Sequence, residues 1–222
     1  MRDKVILSWS GGKDAALAFR ELQRREQYEL IALLTVVTEE YDRISMHGVP
    51  RVLLHRQADS LGLPLETISI SKSASNEGYE RAMRELLEKY LTLGVSSVAF
   101  GDIFLEDVRS YREHNLAKVG MKAVFPLWQR DTGPLAQTFI DLGFEAVVTC
   151  VDSSMLDGSF AGRDFDERFL SDLPVHVDPC GENGEFHTFV YAGPIFTDSI
   201  PLEKGEVVLR DDRFYYCDLL SA

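Results

Sequence analysis

Two adjacent glycines and a lysine lie where a short apolar stretch gives way to an alanine-rich one, in the segment SGGKD (Ser10–Asp14). Adjacent glycines let successive backbone N–H groups turn toward one point, and the N-terminus of a following helix adds positive potential. Lys13 adds a full positive charge. This combination predicts a phosphate-binding loop. The alternative, a glycine turn with a surface lysine, is disfavoured by the strand–loop–helix context.

The loop differs from two common phosphate-binding motifs. A Walker A loop has a glycine five residues before its G-K pair and a Ser or Thr after the lysine, whereas this chain has Leu7 and Asp14 at those positions. The dinucleotide pattern G-x-G-x-x-G also fails, because Gly11 and Gly12 are adjacent and no third glycine follows. SGGKD therefore indicates another kind of phosphate loop.

A second polar cluster lies far along the chain, where Glu182 and Glu185 flank Gly184. Two carboxylates on a glycine-bearing turn could bind a cation, a metal ion or an ammonia nucleophile. Aromatic faces suit a cationic ligand, although alternate aromatics in a strand more often form a core. Three such residues follow the turn: Phe186, Phe189 and Tyr191.

The composition is that of an ordinary globular protein, with 222 residues of which 45% are hydrophobic and 27% charged. The sequence has neither an apolar run of about eighteen residues nor a secretory cleavage pattern, so no membrane association is predicted. Cys150, Cys180 and Cys217 are widely spaced and odd in number, which predicts reduced thiols in a cytoplasmic protein. His176 and Asp178 lie near Cys180 but lack a second ligand pair, so no protein metal site is predicted.

The net charge of −13 is concentrated in the last third of the chain. Residues 1–150 contain 21 acidic and 18 basic side chains, whereas residues 151–222 contain 15 acidic and 5 basic ones. Such an acidic region repels phosphate backbones, so no direct nucleic-acid partner is predicted. It is either a solvated surface, which charge alone favours, or a site for a cationic substrate.

Strand-like and helix-like patterns alternate through the first 150 residues, which predicts a parallel sheet covered by helices on both faces. Short apolar or β-branched stretches predict five strands: Val5–Trp9, Leu30–Val37, Leu65–Ser69, Ser97–Phe100 and Ala146–Cys150. Helical patterns lie between them, at residues 50–62, 79–91, 105–120 and 131–142. The pattern changes near residue 150, where we place a domain boundary. Antiparallel strands are predicted beyond it, including a hairpin that turns at Asp211–Asp212.

SGGKD after the first strand resembles the PP-loop of the N-type ATP pyrophosphatases, which cleave ATP between the α and β phosphates. Four further segments resemble one branch, the diphthine–ammonia ligase or diphthamide synthetase family: HGVPRVLLHRQADSLGLPL, FGDIFLEDVRSYRE, PLW and CGENGEFHTFVYAGPIF. The resemblance covers essentially the whole chain. One departure is Ala15, which stands where the loop usually has a Ser or Thr hydroxyl that could contact phosphate.

The resemblance implies an adenine nucleotide alpha hydrolase-like α/β fold, with a doubly wound five-stranded parallel sheet of order 3-2-1-4-5. Residues 1–150 would form the ATP-binding domain, and residues 151–222 a smaller, acidic α+β domain that binds the substrate. The ends of strands one and four flank the topological switch point of such a sheet, where ligands bind.

The implied reaction adenylates the carboxylate of diphthine, a modified histidine on elongation factor two, after which ammonia displaces AMP. The implied ligands are ATP, ammonia, a carboxylate acceptor and Mg²⁺ with few protein ligands, and homo-oligomer formation stays open. The resemblance assigns pyrophosphate binding to Ser10, Gly11, Gly12, Lys13 and Asp14, further nucleotide contacts to His47, Gly101 and Asp102, and catalytic roles to Lys13, Asp14, Glu182 and Glu185.

Simpler structural roles compete with several of these assignments. Asp14 could act mainly as a residue of the first helical turn, His47 could be an exposed loop residue, and Gly101–Asp102 could be a turn after a strand. Arg109 and Arg112 could face phosphate, but acidic residues at helical spacing favour a surface ion pair for at least one of them.

Three alternative functions stay open. The first is the same chemistry on a different carboxylate. The second, a tRNA-modifying PP-loop enzyme, is disfavoured by the acidic C-terminal region and the lack of paired cysteines. The third is a sensor that binds ATP without turnover. Glu182 and Glu185 argue for turnover, because a sensor needs no second acidic cluster facing its nucleotide.

Overall fold

The first of two sheets is mainly parallel. The computed structural model describes residues 2–38, 43–44, 47–70 and 76–222, without the side chains of residues 76, 77 and 79. The strands of this sheet are β1 (Asp3–Ser8), β2 (Tyr28–Thr38), β3 (Arg43–Ile44), β4 (Leu65–Ile70), β5 (Val95–Ala99) and β6 (Lys122–Val124). Its parallel strands lie in the order β4-β2-β1-β5-β6, and β3 pairs antiparallel with the end of β2. Counted along the chain, this is the predicted order 3-2-1-4-5, so the fold class is confirmed.

Helices cover both faces of this sheet, as its apolar strands require. In β1, Val5 and Leu7 belong to one buried cluster, and Ile6, between them, belongs to the other. The first cluster includes residues of α1 (Lys13–Arg24), α2 (Arg51–Leu61) and α5 (Thr132–Asp141), and the second includes residues of α3 (Asn76–Thr92) and α4 (Glu106–Ala117). All four helical patterns therefore match helices, although the side chain of Tyr79 lies outside the described part.

The second sheet is antiparallel and has the order β8-β7-β10-β9. Its strands are β7 (Glu145–Asp152), β8 (Phe186–Ala192), β9 (Leu202–Arg210) and β10 (Phe214–Ser221), and α6 (Glu167–Asp172) precedes β8. Asp211 and Asp212 both have a φ of 50° between β9 and β10, a conformation that Asp tolerates in tight hairpin turns. The predicted hairpin is confirmed.

One predicted strand was assigned to the wrong sheet. Residues Ala146–Cys150, predicted as the fifth parallel strand, lie in β7, which pairs antiparallel with β8 and β10. Apolar runs do not distinguish a buried inner strand of either kind of sheet. The fifth parallel strand is β6, whose three residues are too few to form a pattern. The boundary predicted near residue 150 falls within β7, so the change of sheet occurs earlier, between β6 and β7.

The two sheets share one core. Phe186 and Phe189 of β8 are buried in the same cluster as Phe19 and Leu22 of α1, so α1 lies between the sheets. All three cysteines are free and buried. In the described ranges, no helix combines the length and apolar character needed to cross a membrane.

Candidate functional site

A polar cavity lies where β1 and β5, which are neighbours in the parallel sheet, reach their carboxyl ends. It is lined by Ser8, Ser10, Gly12, Lys13, Asp14, Ala15, His47, Phe100, Gly101, Asp102, Arg112, Gly181, Glu182, Gly184, Phe186, His187 and Thr188. The cavity thus brings together eight of the ten predicted site residues, all but Gly11 and Glu185. It lies at the predicted switch point, between the first sheet and residues that precede and begin β8.

A buried glutamine of α2 forms hydrogen bonds to the loop after β1. Gln57 Nε2 donates to the carbonyl oxygens of Gly11 and Val190 at 3.0 and 2.7 Å, and Gln57 Oε1 accepts from Trp9 Nε1 at 2.8 Å. Gly11 has a φ of 76°, and a Cβ there would lie 2.7 Å from Gln57 Oε1. Gly11 is therefore needed to shape the loop, and it does not face the cavity.

Lys13 is a buried cation rather than a surface lysine, with 3% of its side chain exposed. Its Nζ donates to Asp14 Oδ2 at 2.9 Å and to the carbonyl oxygen of Cys180, and it lies 5.3 Å from the ring centre of Phe186. Burial lowers the pKa of Lys13, but the attraction of neighbouring acidic groups, Asp14 foremost, and the hydrogen bond to Asp14 together outweigh it, so the pKa is raised. Lys13 therefore stays charged at the wall of the cavity.

Only one of the two carboxylate oxygens of Asp14 has a partner among the described residues. Oδ2 pairs with Lys13, whereas Oδ1 is buried and has no hydrogen-bond partner among the described residues. Burial raises the pKa of Asp14, and the nearby carboxylates of Asp178 and Asp102 add to this, against the opposing effect of Lys13. A buried, unpaired carboxylate oxygen is costly, and Asp14 therefore has an unused acceptor at the wall of the cavity.

The N-terminus of α1 is capped by a residue of the second sheet. Gly12 precedes the helix and supplies no side-chain cap, but Thr188 Oγ1 of β8 accepts from the Lys13 N–H at 3.1 Å. A Cβ on Gly12 would lie 3.0 Å from the Thr188 carbonyl oxygen. The second glycine of SGGKD thus allows β8 to approach the loop.

His47 stacks on His187 at a ring-centre distance of 4.5 Å, and its Nδ1 lies 3.3 Å from the Thr188 carbonyl oxygen. Burial lowers the pKa of His47 to about 4. Burial also lowers the pKa of His187 well below its usual value, and the charges of protonated His47 and of Lys13 act in the same direction. Both rings are neutral near pH 7, so they add no charge to the cavity. His47 is therefore not an exposed loop residue.

Gly101 and Asp102 follow β5 on the opposite side of the cavity. A Cβ on Gly101 would lie 2.9 Å from the backbone carbonyl carbon of Asp14, so this glycine allows the β5 loop to approach α1. Asp102 forms a two-pronged pair with Arg112, with Oδ2–Nε at 2.8 Å and Oδ1–Nη2 at 3.1 Å. Arg109 instead pairs with Glu113 at 2.8 Å, so the predicted surface ion pair applies to Arg109.

The acidic turn, residues 180–185, closes the cavity from the second sheet. Glu182 Oε1 accepts from the backbone N–H groups of Ile103 and Phe104 at 2.7 and 3.4 Å, which ties the turn to the loop after β5. Burial raises the pKa of Glu182 to about 7, with further contributions from Asp14 and Asp102, against the effect of the two N–H groups. Glu182 is thus a carboxyl group that titrates near neutral pH beside the phosphate loop.

Glu185 is placed differently from the prediction, because it is fully buried and does not line the cavity. Its Oε1 accepts from Asp178 N–H at 3.0 Å and from Asn183 Nδ2 at 2.9 Å, and its Oε2 accepts from Asn183 N–H at 3.0 Å. A side chain with both oxygens bound inside its own turn cannot face a substrate. Glu185 holds the turn that presents Glu182.

Sequence reasoning left three contributors without a role. Thr188 and His187 reach the cavity through strand pairing, which no local pattern indicates. Gln57 had a detectable signal, because it is a polar residue within an apolar helix pattern, and such residues are usually hydrogen-bonded when buried.

Models of two protein domains match most of the chain. The diphthamide synthase N-terminal domain matches residues 3–123, and the diphthamide synthase C-terminal domain matches residues 131–218. The family predicted from SGGKD and the segment around the acidic turn is thereby confirmed.

Individual relatives of known name share about a quarter of their aligned residues with this chain. A bovine protein named diphthine–ammonia ligase is 27% identical over 92% of this chain and 85% of its own length. A fission-yeast protein of the same name is 25% identical over 92% of this chain, and the chain spans 37% of its length. The U34-tRNA thiolase NcsA from Methanococcus maripaludis aligns with 64% of this chain and 58% of its own, at 16% identity and a TM-score of 0.39. A structural likeness of that size supports no conclusion about function.

Proposed function

Because the chain belongs to the diphthamide synthase family, we propose that it adenylates a carboxylate with ATP and amidates it with ammonia, releasing AMP and pyrophosphate. The class of enzyme, an ATP-dependent ligase, follows from relatives named diphthine–ammonia ligase. The acceptor that their name suggests is diphthine, which the family resemblance places on elongation factor two. One observation carries the proposal: Lys13 of the phosphate loop and Glu182 of the acidic turn line one cavity at the switch point of the sheet.

A second cavity supports the binding of a whole nucleotide. It adjoins the polar cavity at Ser8, Phe100 and Arg112, and its walls come from β2, β5, α3 and α4. Most of its side chains are apolar, including Leu34, Val36, Met83, Leu87, Val98 and Leu116. A flat base fits such a wall, because apolar surface is removed from water. We place adenine there and the phosphates in the polar cavity.

The charges of the polar cavity favour a magnesium complex of ATP. Lys13 and Arg112 are the cations among its lining residues, and Asp14, Asp102 and Glu182 are the carboxylates. Both cations are already paired with carboxylates, so a free nucleotide polyanion would meet little net positive charge. The unpaired Asp14 Oδ1 is a suitable single carboxylate ligand for Mg²⁺, which usually takes one or two together with phosphates. When bound, the ion would neutralise charge on the phosphate oxygens.

The loop and the turn would act on different steps. In the first step a carboxylate oxygen bonds to the α-phosphorus, and the bond from that phosphorus to pyrophosphate breaks. Lys13 would stabilise the charge on the departing pyrophosphate, because a fixed cation in a dry site is worth more than one in water. In the second step ammonia bonds to the acyl carbon, AMP leaves, and one proton is released. Glu182, which titrates near neutral pH, is the group placed to bind the ammonium ion or take that proton.

Three buried free thiols fit a reducing compartment, so we place the reaction in the cytoplasm. The same site could serve another small carboxylate, or bind ATP without turnover. Chromatography of the nucleotide products, with and without the diphthine form of elongation factor two and ammonium, separates the proposed reaction from both alternatives. We expect AMP and pyrophosphate that depend on the acceptor. Formation of ADP would overturn the proposal, and binding of ATP without any product would leave the other carboxylate and the sensor as the alternatives.

A further inference from the structure

We propose that Thr188 donates a hydroxyl hydrogen bond to the bound phosphates and so replaces the loop hydroxyl that Ala15 lacks. This inference rests on the proposed use of ATP. Ala15 has no hydroxyl to offer a phosphate, and both Ala15 and Thr188 line the polar cavity.

Thr188 lies against the phosphate loop although it is 175 residues away from Lys13 in the sequence. Its Oγ1 is 3.1 Å from the backbone nitrogen of Lys13, the first residue of α1. The side chain is held there by strand pairing, since Thr188 opposes Val148 in the β7–β8 ladder. The hydroxyl therefore has a fixed position beside the loop that is predicted to hold phosphate.

The hydrogen of this hydroxyl is available. A threonine hydroxyl has one donor hydrogen and two acceptor lone pairs. Accepting from the Lys13 N–H uses a lone pair, and no side-chain hydrogen bond among the described residues uses Thr188 Oγ1 as a donor. Thr188 is only 2% exposed, and buried polar groups are normally hydrogen-bonded. A phosphate oxygen in the cavity would accept this hydrogen.

The position on β8 has a consequence that a hydroxyl at position 15 would not have. Thr188 is three residues from Glu185, which holds the acidic turn, and a Cβ on Gly12 would lie only 3.0 Å from the Thr188 carbonyl oxygen. A phosphate bound by Thr188 would contact the same strand that carries the acidic turn. Nucleotide binding would thereby hold β8, and with it Glu182, against the loop.

The test compares the affinities of the magnesium complex of ATP and of AMP, by calorimetry, for wild type and Thr188→Val. Valine keeps the shape of threonine but removes the hydroxyl. Because a hydrogen bond to a charged group is lost, ATP affinity should fall about tenfold or more. AMP lacks the phosphates that the loop would hold, so its affinity should change by less than about twofold. Thr188→Ser should retain ATP affinity.

A second-site variant and a matched control complete the test. Ala15→Ser added to Thr188→Val should recover most of the lost ATP affinity, since it returns a hydroxyl to the loop. Thr149→Val makes the same chemical change at a buried threonine of β7 that does not itself line the cavity and donates to the His187 carbonyl oxygen, and ATP affinity should not change. If Thr188→Val does not fold, Thr188→Cys against Thr188→Ser makes the comparison, because a thiol is a weak donor.

Wild-type ATP affinity in folded Thr188→Val would overturn the inference. Equal losses for ATP and AMP would also overturn it, because they would show that Thr188 acts only as the cap of α1. The measurement is independent of the bond that is cleaved: a wild-type protein that releases ADP would refute the proposed reaction while the role of Thr188 in binding ATP could still be measured.

Discussion

Glu185→Gln should destabilise the protein strongly, whereas Glu182→Gln should not, although both replace a carboxyl group of the acidic turn by an amide. Glu185 accepts three hydrogen bonds, from Asp178 N–H and from the backbone and side chain of Asn183, at 2.9–3.0 Å. Glutamine keeps one acceptor oxygen, but its amide nitrogen would take the place of Oε2, which accepts from the Asn183 N–H in wild type. Two donors would face each other in a fully buried site.

The size of the effect follows from the bonds that are lost. A hydrogen bond to a charged group contributes about 1.5–3 kcal/mol, and an unsatisfied buried donor costs about 1–3 kcal/mol. Loss of one bond and weakening of the other two should reduce the free energy of unfolding by about 2–4 kcal/mol.

Urea unfolding followed by fluorescence would measure this difference. Glu182→Gln is the matched control, because its remaining oxygen can still accept from Ile103 N–H, and its unfolding free energy should stay within about 1 kcal/mol of wild type at about pH 5. A Glu185→Gln protein within about 0.5 kcal/mol of wild type would refute the view that Glu185 holds the turn.

Three further perturbations test the site. In wild type the pKa of Glu182 is raised from 4.5 to about 7, so the free energy of unfolding falls as pH rises through that interval. Glu182→Gln lacks this loss and should be more stable than wild type by about 1–2 kcal/mol at about pH 8, allowing for solvent screening. Parallel curves of stability against pH for the two proteins would contradict this. Lys13→Met should lower AMP formation by orders of magnitude, with about 3–4 kcal/mol of transition-state stabilisation lost. It should also destabilise the fold, because the Asp14 carboxylate loses its cation. Adding Asp14→Asn should restore stability but not turnover. Gln57→Leu removes three buried hydrogen bonds around Gly11 and should lower the unfolding free energy by about 2–4 kcal/mol in a urea titration; unchanged stability would mean that the loop is held by other contacts.

The parallel sheet was predictable because its strands are buried on both faces and alternate with helices. The apolar residues of β1, β2, β4 and β5 form short continuous runs, and the known preference for right-handed crossovers limits the possible orders. β6 and β7 were exchanged for the opposite reason. A three-residue strand gives no pattern, and the apolar residues of β7 are equally compatible with a parallel or an antiparallel partner.

The residues of the site were predictable where the backbone itself requires them. SGGKD and the turn after β5 are local features, and glycine there permits the close approach of β8 and α1. Glu185 was placed wrongly because sequence adjacency to Glu182 does not show which carboxylate turns inward. Thr188 and Gln57 act across strand and helix contacts of long sequence separation, and these depend on the packing of the second sheet against α1 and α2.

The proposed reaction depends on the attack of a carboxylate on the α-phosphate of ATP. It is tested most directly with an acceptor whose carboxylate carries ¹⁸O, the diphthine form of elongation factor two, incubated with ATP, Mg²⁺ and ammonium, followed by mass spectrometry of the nucleotide. Adenylation transfers one carboxylate oxygen to AMP when ammonia displaces it, so we expect AMP that carries one ¹⁸O together with an amidated acceptor. Label in inorganic phosphate together with ADP, or amidation with unlabelled AMP, would contradict it.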